Sequence, residues 1–243
     1  NALLGTSIPE SDMVKYLELL EIPVENGMIQ VPSFRPDLNL MADVAEEVGR
    51  SYGYNEIPTT AFKNATQGGY TPFMLAENKA GQLCRSLGYS EIITYSFVSP
   101  AIFDNIRLPK DSALRNAMRI QNPLGEDTSI MRTIALPSML DILARNYAYH
   151  NKNVKLYELA KIYLPREGQL PAEPKMLMLG AYGGGVTFFS MKGQLEAILS
   201  GMRLPKASFT AVKDNPSFHP GRCAAISING EHLGYMGQVH PLV

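Results

Sequence analysis

The chain has 243 residues, of which 45% are apolar and 19% charged, with a formal net charge of −1 and two cysteines. This content is enough for one large hydrophobic core, or a large and a small one, and excludes a disulfide-stapled miniprotein and a low-complexity chain. No run approaches 18 uninterrupted apolar residues and Asn1 does not open a signal peptide, so a soluble, cytoplasmic protein without membrane contact is expected.

In chain order, Ser7, Pro9 and Glu10 give a helix start with capping-box spacing, and VKYLELLEI beyond it carries apolar residues at helical intervals. Asn26-Gly27 signals a hairpin. Residues 35–47, RPDLNLMADVAEE, follow and set Asp37, Asp43, Glu46 and Glu47 at offsets of 0, 6, 9 and 10. A helix from about Leu40 to Tyr54 puts Asp43, Glu46 and Glu47 on one arc, with Leu40, Met41, Val44, Ala45 and Val48 on the other. The spacing alone admits two readings. One is a solvated acidic face answered by Arg50 at i+4 from Glu46 and i+3 from Glu47. The other is an all-oxygen site, completed by Asp37, for a hard cation such as Mg2+.

Residues 55–72 hold Pro58, Gly68, Gly69 and Pro72 among small polar residues, as a linker does. The chain is therefore expected to divide into residues 1–62 and 63–243. The two parts differ electrostatically: the first has ten acidic and three basic residues, net −7, and the second is net +6. Two helices and a small wing make residues 1–62 winged-helix-like, but a balance of −7 opposes groove binding, so no DNA partner is expected.

The larger part reads as α+β. A helix is expected over 73–87 with Gly88 at its C-cap, then a strand over 91–98 with Ile92, Thr94 and Ser96 opposite Ile93, Tyr95 and Phe97. A helix over 136–150 leads to the strand VKLYELAKIYLP, and further strands are expected at 175–182, 207–213, 222–229 and 232–239. A helix over 192–202 lies among them, and Asn229-Gly230 turns the last hairpin. Cys84 and Cys223 read as buried thiols. Arg132 reads as a helix start paired with Glu126 or Asp127. Lys192 and Arg222 read as salt-bridge partners, and His219 and His240, each before a proline, as turn histidines bonded to backbone. Met131, Met139, Met176, Met178 and Met191 read as core filler.

The blocks FRPDLNLMADVAEEVGRSYGYNEIP, TYSFVSP, NPLGEDTSIMRTIALPSML, LYELAKIY, FFSMKGQLEAIL, HPGRCAAISING and GYMGQVHP occur in an order that resembles the β subunits of bacterial phenylalanine-tRNA ligases. The resemblance covers nearly the whole chain. It implies a piece of a longer protein: a small acidic domain, then most of a class II aminoacyl-tRNA synthetase-like core, an antiparallel sheet flanked by helices. It also implies that the core is non-catalytic, that ATP is used by the α subunit, and that the assembly is α2β2 and handles tRNA(Phe). LYELAKIY agrees, because Tyr157 and Leu159 flank Glu158 and Lys161 lies beyond it, so the usual F-R-x-E pattern is not present. The alternative is a self-sufficient class II-like ligase or nucleotide-binding enzyme. On the acidic run, the resemblance implies that Asp37, Asp43, Glu46 and Glu47 hold Mg2+ near the α subunit, and it implies no catalytic residue.

Overall fold

A computed structural model of the chain describes residues 1–61 and 66–243, which fall into two units, Asn1–Gly68 and Gly69–Val243. The boundary expected between 62 and 63 lies outside the described residues. Among the described residues, no helix is long and apolar enough to cross a membrane.

The first unit begins with α1 (Glu10–Glu18), whose N-cap is Pro9 without any side-chain cap. The expected capping box is therefore not formed; proline at φ −58° sets the helix entry instead. Strands β1 (Val24–Glu25) and β2 (Met28–Ile29) pair antiparallel across Asn26 and Gly27, at φ 53° and 75°. Two consecutive left-handed residues are what a type I′ turn demands, and Asn-Gly is the pair that adopts them at least cost. Helix α2 (Met41–Tyr52) then stops two residues before the expected terminus, with Gly53, φ 107°, as its C-cap. Leu17, Ile22, Leu38 and Val48 form the core of the unit, with Val44 and Tyr52 against it. Leu40 and Met41, expected on the oily face, are 68% and 71% exposed. Val44, Val48 and Tyr52, one turn apart each, fill the contact, and the first turn of α2 projects beyond it.

The second unit runs through α3 (Pro72–Ser86), β3 (Ser90–Glu91), β4 (Phe97–Val98), α4 (Ile102–Asn105), β5 (Ile130–Met131), α5 (Leu136–Ala148) and β6 (Val154–Lys161). It continues with β7 (Leu164–Arg166), β8 (Gln169–Ala172), β9 (Lys175–Tyr182), α6 (Phe188–Gly201), β10 (Ser208–Ala211), β11 (Phe218–Ile228) and β12 (Glu231–Val239). Its main sheet has the order β3-β6-β9, with β6 parallel to β3 and antiparallel to β9 along eight residue pairs. A second sheet has the order β10-β11-β12, turned at Asn229-Gly230. Helices cover both faces of the main sheet. Tyr157, Cys84 and Ile198 are buried with α3 and α6 on one side, and Leu156, Val154 and Met139 with α5 on the other. Both cysteines are buried and free.

Four expectations need correction. The strand over 91–98 is broken into β3 and β4, although the alternation of half-buried Ile92, Thr94 and Ser96 with exposed Ile93, Tyr95 and Phe97 persists. A side chain replaces a neighbouring strand there, since the Thr94 N–H donates to Glu158 Oε1 at 3.2 Å. Helix α6 starts four residues early, because Thr187 and Ser190 cap it reciprocally, N–H to hydroxyl, at 2.8 and 3.1 Å. Arg132 neither begins a helix nor meets Glu126 or Asp127. It precedes α5 by four residues and is only 2% exposed. Finally, Met176 is 37% exposed, whereas Met139 is buried at 1%.

Candidate functional site

The acidic run is shaped by its own backbone. Leu40, extended at φ −125°, is the N-cap of α2. A leucine offers the helix no side-chain acceptor, and among the described residues the only capping bonds come from the carboxylate three residues on: Asp43 Oδ2 accepts the N–H of Leu40 at 2.6 Å and of Asn39 at 2.8 Å. This is one half of a capping box, and an anion at a helix N-terminus also meets the favourable end of the dipole.

Arg35 organises the rest. Its Nε donates to Asp37 Oδ1 at 3.0 Å, and its Nη2 to Asp37 Oδ2 and to Glu47 Oε1, both at 2.6 Å. Arg50 Nη2 donates to Glu47 Oε2 at 2.6 Å, the i+3 pairing. Arg50 first and Arg35 second hold the Glu47 carboxyl below the usual carboxylate range, and Arg35 does the same to Asp37. Glu47 is mostly enclosed, with its side chain 12% exposed, while Asp37 is at 58%. Glu46 is exposed on the next position of the helix.

The four carboxylates are thus brought to one end of α2 but are not gathered around one point. Among the described residues, no three His, Cys, Asp or Glu side chains cluster as ligands of a metal ion do. Asp37 and Glu47 do converge, and a cationic group already stands between them. The donor set fits a cation that is content with one or two carboxylates and keeps its waters, as Mg2+ is. It does not form a closed cage.

The main sheet carries a second constellation that no spacing in the sequence announced. Arg132 Nη2 donates to Glu158 Oε1 at 3.0 Å, Nη1 to Thr94 Oγ1 at 2.6 Å, and Nε to the Lys161 carbonyl at 2.9 Å. The other face of β6 lines a cleft of about 370 Å³. Its charges are mutually satisfied: Arg85 Nη1 donates to Tyr157 Oη at 2.6 Å, that hydroxyl donates to Glu91 Oε2 at 2.7 Å, and Lys175 pairs with Glu77. Burial raises the Tyr157 phenol. Lys192 pairs with Glu196 as expected, whereas Arg222 donates to the neutral amide of Gln238 instead of forming the expected salt bridge. His219 and His240 are backbone-bonded through Nδ1, as expected of turn histidines.

Comparison with known proteins bears on both units. A family model described as the phenylalanyl tRNA synthetase beta chain CLM domain matches residues 57–243, and one described as the tRNA synthetase B5 domain matches residues 1–54. The chain is 43% identical over 248 residues to the phenylalanine--tRNA ligase beta subunit of Clostridium tetani, covering 99% of this chain and 31% of that protein. It is 36% identical over 254 residues to that of Carboxydothermus hydrogenoformans and 38% over 259 to that of Geobacter metallireducens, with 32% of each covered. The chain therefore spans about a third of the length of these relatives. A solved pyrrolysyl-tRNA synthetase from Desulfitobacterium hafniense matches with a TM-score of 0.56 over 93% of this chain and 78% of its own. At 11% identity that likeness concerns the fold alone. With the larger family model covering most of its residues, the chain belongs to the phenylalanyl-tRNA synthetase beta chain family.

Proposed function

We propose that this chain is the non-catalytic core of a phenylalanine-tRNA ligase β subunit, which scaffolds an α subunit in the ATP-dependent attachment of phenylalanine to tRNA(Phe). The observation that carries the reading is strand β6. In it, Glu158 is committed to Arg132 with both side chains almost wholly enclosed, at 4% and 2% exposure. Tyr157 and Leu159 add no cation to the cleft, and the two cations that line it, Arg85 and Lys175, are engaged by Tyr157 and Glu77. Activation of an amino acid by ATP needs such a charge held where the triphosphate turns. The α subunit supplies that chemistry in the proposed α2β2 assembly, and ATP does not bind here.

The fold supports the same reading at a finer level. Residues 1–62 form a small winged-helix-like domain, and residues 63–243 a class II synthetase-like core. A partner subunit accounts for the outward row of the broken strand, where Ile93 and Tyr95 are 92% and 88% exposed. The assembly is cytoplasmic and contacts neither DNA nor membrane.

Mg2+ belongs to the proposal. Asp37, Asp43, Glu46 and Glu47 hold it directly or through its waters, in competition with the Arg35 guanidinium, and the ion neutralises an acidic surface beside the α subunit. Phenylalanine-driven ATP–pyrophosphate exchange tests the main claim. The chain alone is expected to give none, and the α subunit, co-purified with the β subunit, to give full activity. Exchange by the chain alone would instead establish a self-sufficient class II-like ligase.

A further inference from the structure

Arg85, Glu91 and Tyr157 meet in the cleft of about 370 Å³ between α3 and the main sheet. Tyr157 is fully buried, and its hydroxyl holds the two ions side by side. Arg85 Nη1 donates to that hydroxyl at 2.6 Å, the hydroxyl donates to Glu91 Oε2 at 2.7 Å, and Arg85 Nη1 lies 3.4 Å from the same carboxylate oxygen. Gly81 leaves room for this group, since a Cβ there would come within 3.1 Å of both Arg85 Nη1 and Tyr157 Oη.

These bonds use only one edge of each ion. Among the described residues, Arg85 Nε and Nη2 and Glu91 Oε1 have no partner, and the two side chains are 52% and 49% exposed. A guanidinium carries five N–H donors in a planar fork and each carboxylate oxygen two lone pairs, so both ions keep bonding capacity on the open side. Half-buried Ile92 and Leu159 line the same cleft. Its charges cancel: Arg85 and Lys175 are balanced by Glu91 and Glu77, and the Glu158 carboxylate that also borders it is neutralised by Arg132.

A neutral cleft with separated charges is wrong for a lone ion. A phosphate drawn to Arg85 is repelled by Glu91 beside it, and a metal ion drawn to Glu91 is repelled by Arg85. A molecule that carries both charges, one carbon apart, matches the pair: its carboxylate takes the open fork of Arg85 and its ammonium the free Glu91 Oε1. The cleft falls in the range of about 300–1,000 Å³ usual for small-molecule sites, and Ile92 and Leu159 give an apolar side chain a wall to lie on. We propose that this cleft binds a free α-amino acid with an apolar side chain, recognised by its ammonium and carboxylate together. Every group it uses belongs to this chain, so the site does not depend on an α subunit.

L-Leucine is the probe, titrated into the 15N-labelled 243-residue chain and followed by NMR. It is expected to shift the Arg85 Nε–H signal and the Gly81 and Ile92 amides saturably. N-acetyl-leucine, which lacks the ammonium, and leucine amide, which lacks the carboxylate, are each expected to bind at least about tenfold more weakly. Arg85→Gln and Glu91→Gln are expected to lower the affinity for leucine by a similar factor. No saturable shift with leucine, binding of either blocked analogue as tight as that of leucine, or undiminished affinity in either variant would overturn the site. Should the variants not fold, the comparison of the three ligands on the unaltered chain decides alone.

Discussion

Arg132 Nη2 sits 3.0 Å from Glu158 Oε1, and the two side chains are 2% and 4% exposed. The pair joins the segment before α5 to the middle of β6, and the same carboxylate accepts the Thr94 N–H where the neighbouring strand is broken. Removing one partner leaves a buried charge alone. Glu158→Gln or Arg132→Met is expected to cost about 3–5 kcal/mol in urea unfolding, and the double replacement Arg132→Met with Glu158→Leu to recover much of it. A loss in the double replacement equal to the sum of the losses from Arg132→Met and Glu158→Leu alone would show that the pair contributes no coupling.

Glu47 makes stability depend on pH. Its carboxyl is held below its ordinary value of 4.5 by Arg50 and Arg35. A depressed folded value stabilises above the unfolded value and is lost as pH falls through the folded one. The unaltered chain is therefore expected to lose stability below about pH 4.5 more steeply than Glu47→Gln, as read from melting temperatures across a pH series.

Mg2+ and Arg35 are expected to compete. Asp43→Asn weakens the α2 cap by about 1 kcal/mol in the absence of metal. Added Mg2+ is expected to raise the melting temperature of the unaltered chain or its α-subunit complex, less in Asp43→Asn, and more strongly in Arg35→Gln. Identical titrations for the unaltered chain and Asp43→Asn, alone and in the complex, would remove the metal site.

Gly180 is fixed by the close approach of α5 to β9. A Cβ there would lie 2.7 Å from Met139 Sδ and 2.9 Å from Leu143 Cδ1. Gly180→Ala is expected to cost about 1–3 kcal/mol, and Gly180→Ala with Met139→Ala to restore no more than part, since a cavity replaces the clash.

Cys84 lies against Tyr157 and Ile198, and burial pushes its thiol up to about 11. At neutral pH it is expected to resist a thiol reagent until denaturant is added, and labelling at the rate of a free peptide thiol would contradict the packing.

The elements written in local signals were legible. Asn-Gly turns, proline at helix starts and strand alternation act over a few residues, and α3, α5, β9 and both hairpins stand close to where those signals put them. Thr94 was legible as sharing a strand face with Ile92 and Ser96. That its backbone would bond to a side chain 64 positions away was not, because no periodicity encodes a pairing that only the tertiary fold creates. Arg132 was misjudged for the same reason, its partner being 26 positions on and inside the sheet. In the acidic run, spacing put Asp37 and Glu47 within reach of one cation. It carried no information on whether that cation is a metal or the Arg35 two residues upstream, since both satisfy the same electrostatics.

The contact between Arg107 and His240 spans 133 positions, and Ser217 Oγ donates to the Ile106 carbonyl across 111. Closing loops of that length comes late, after local helices and hairpins have formed. During synthesis the stretch around α4 leaves the ribosome long before the strands that will hold it exist. For that interval the Ile106 carbonyl lacks the Ser217 hydroxyl that it accepts in the finished fold. The link between α4 and the β11–β12 ribbon therefore forms only once residues 217–240 have been made.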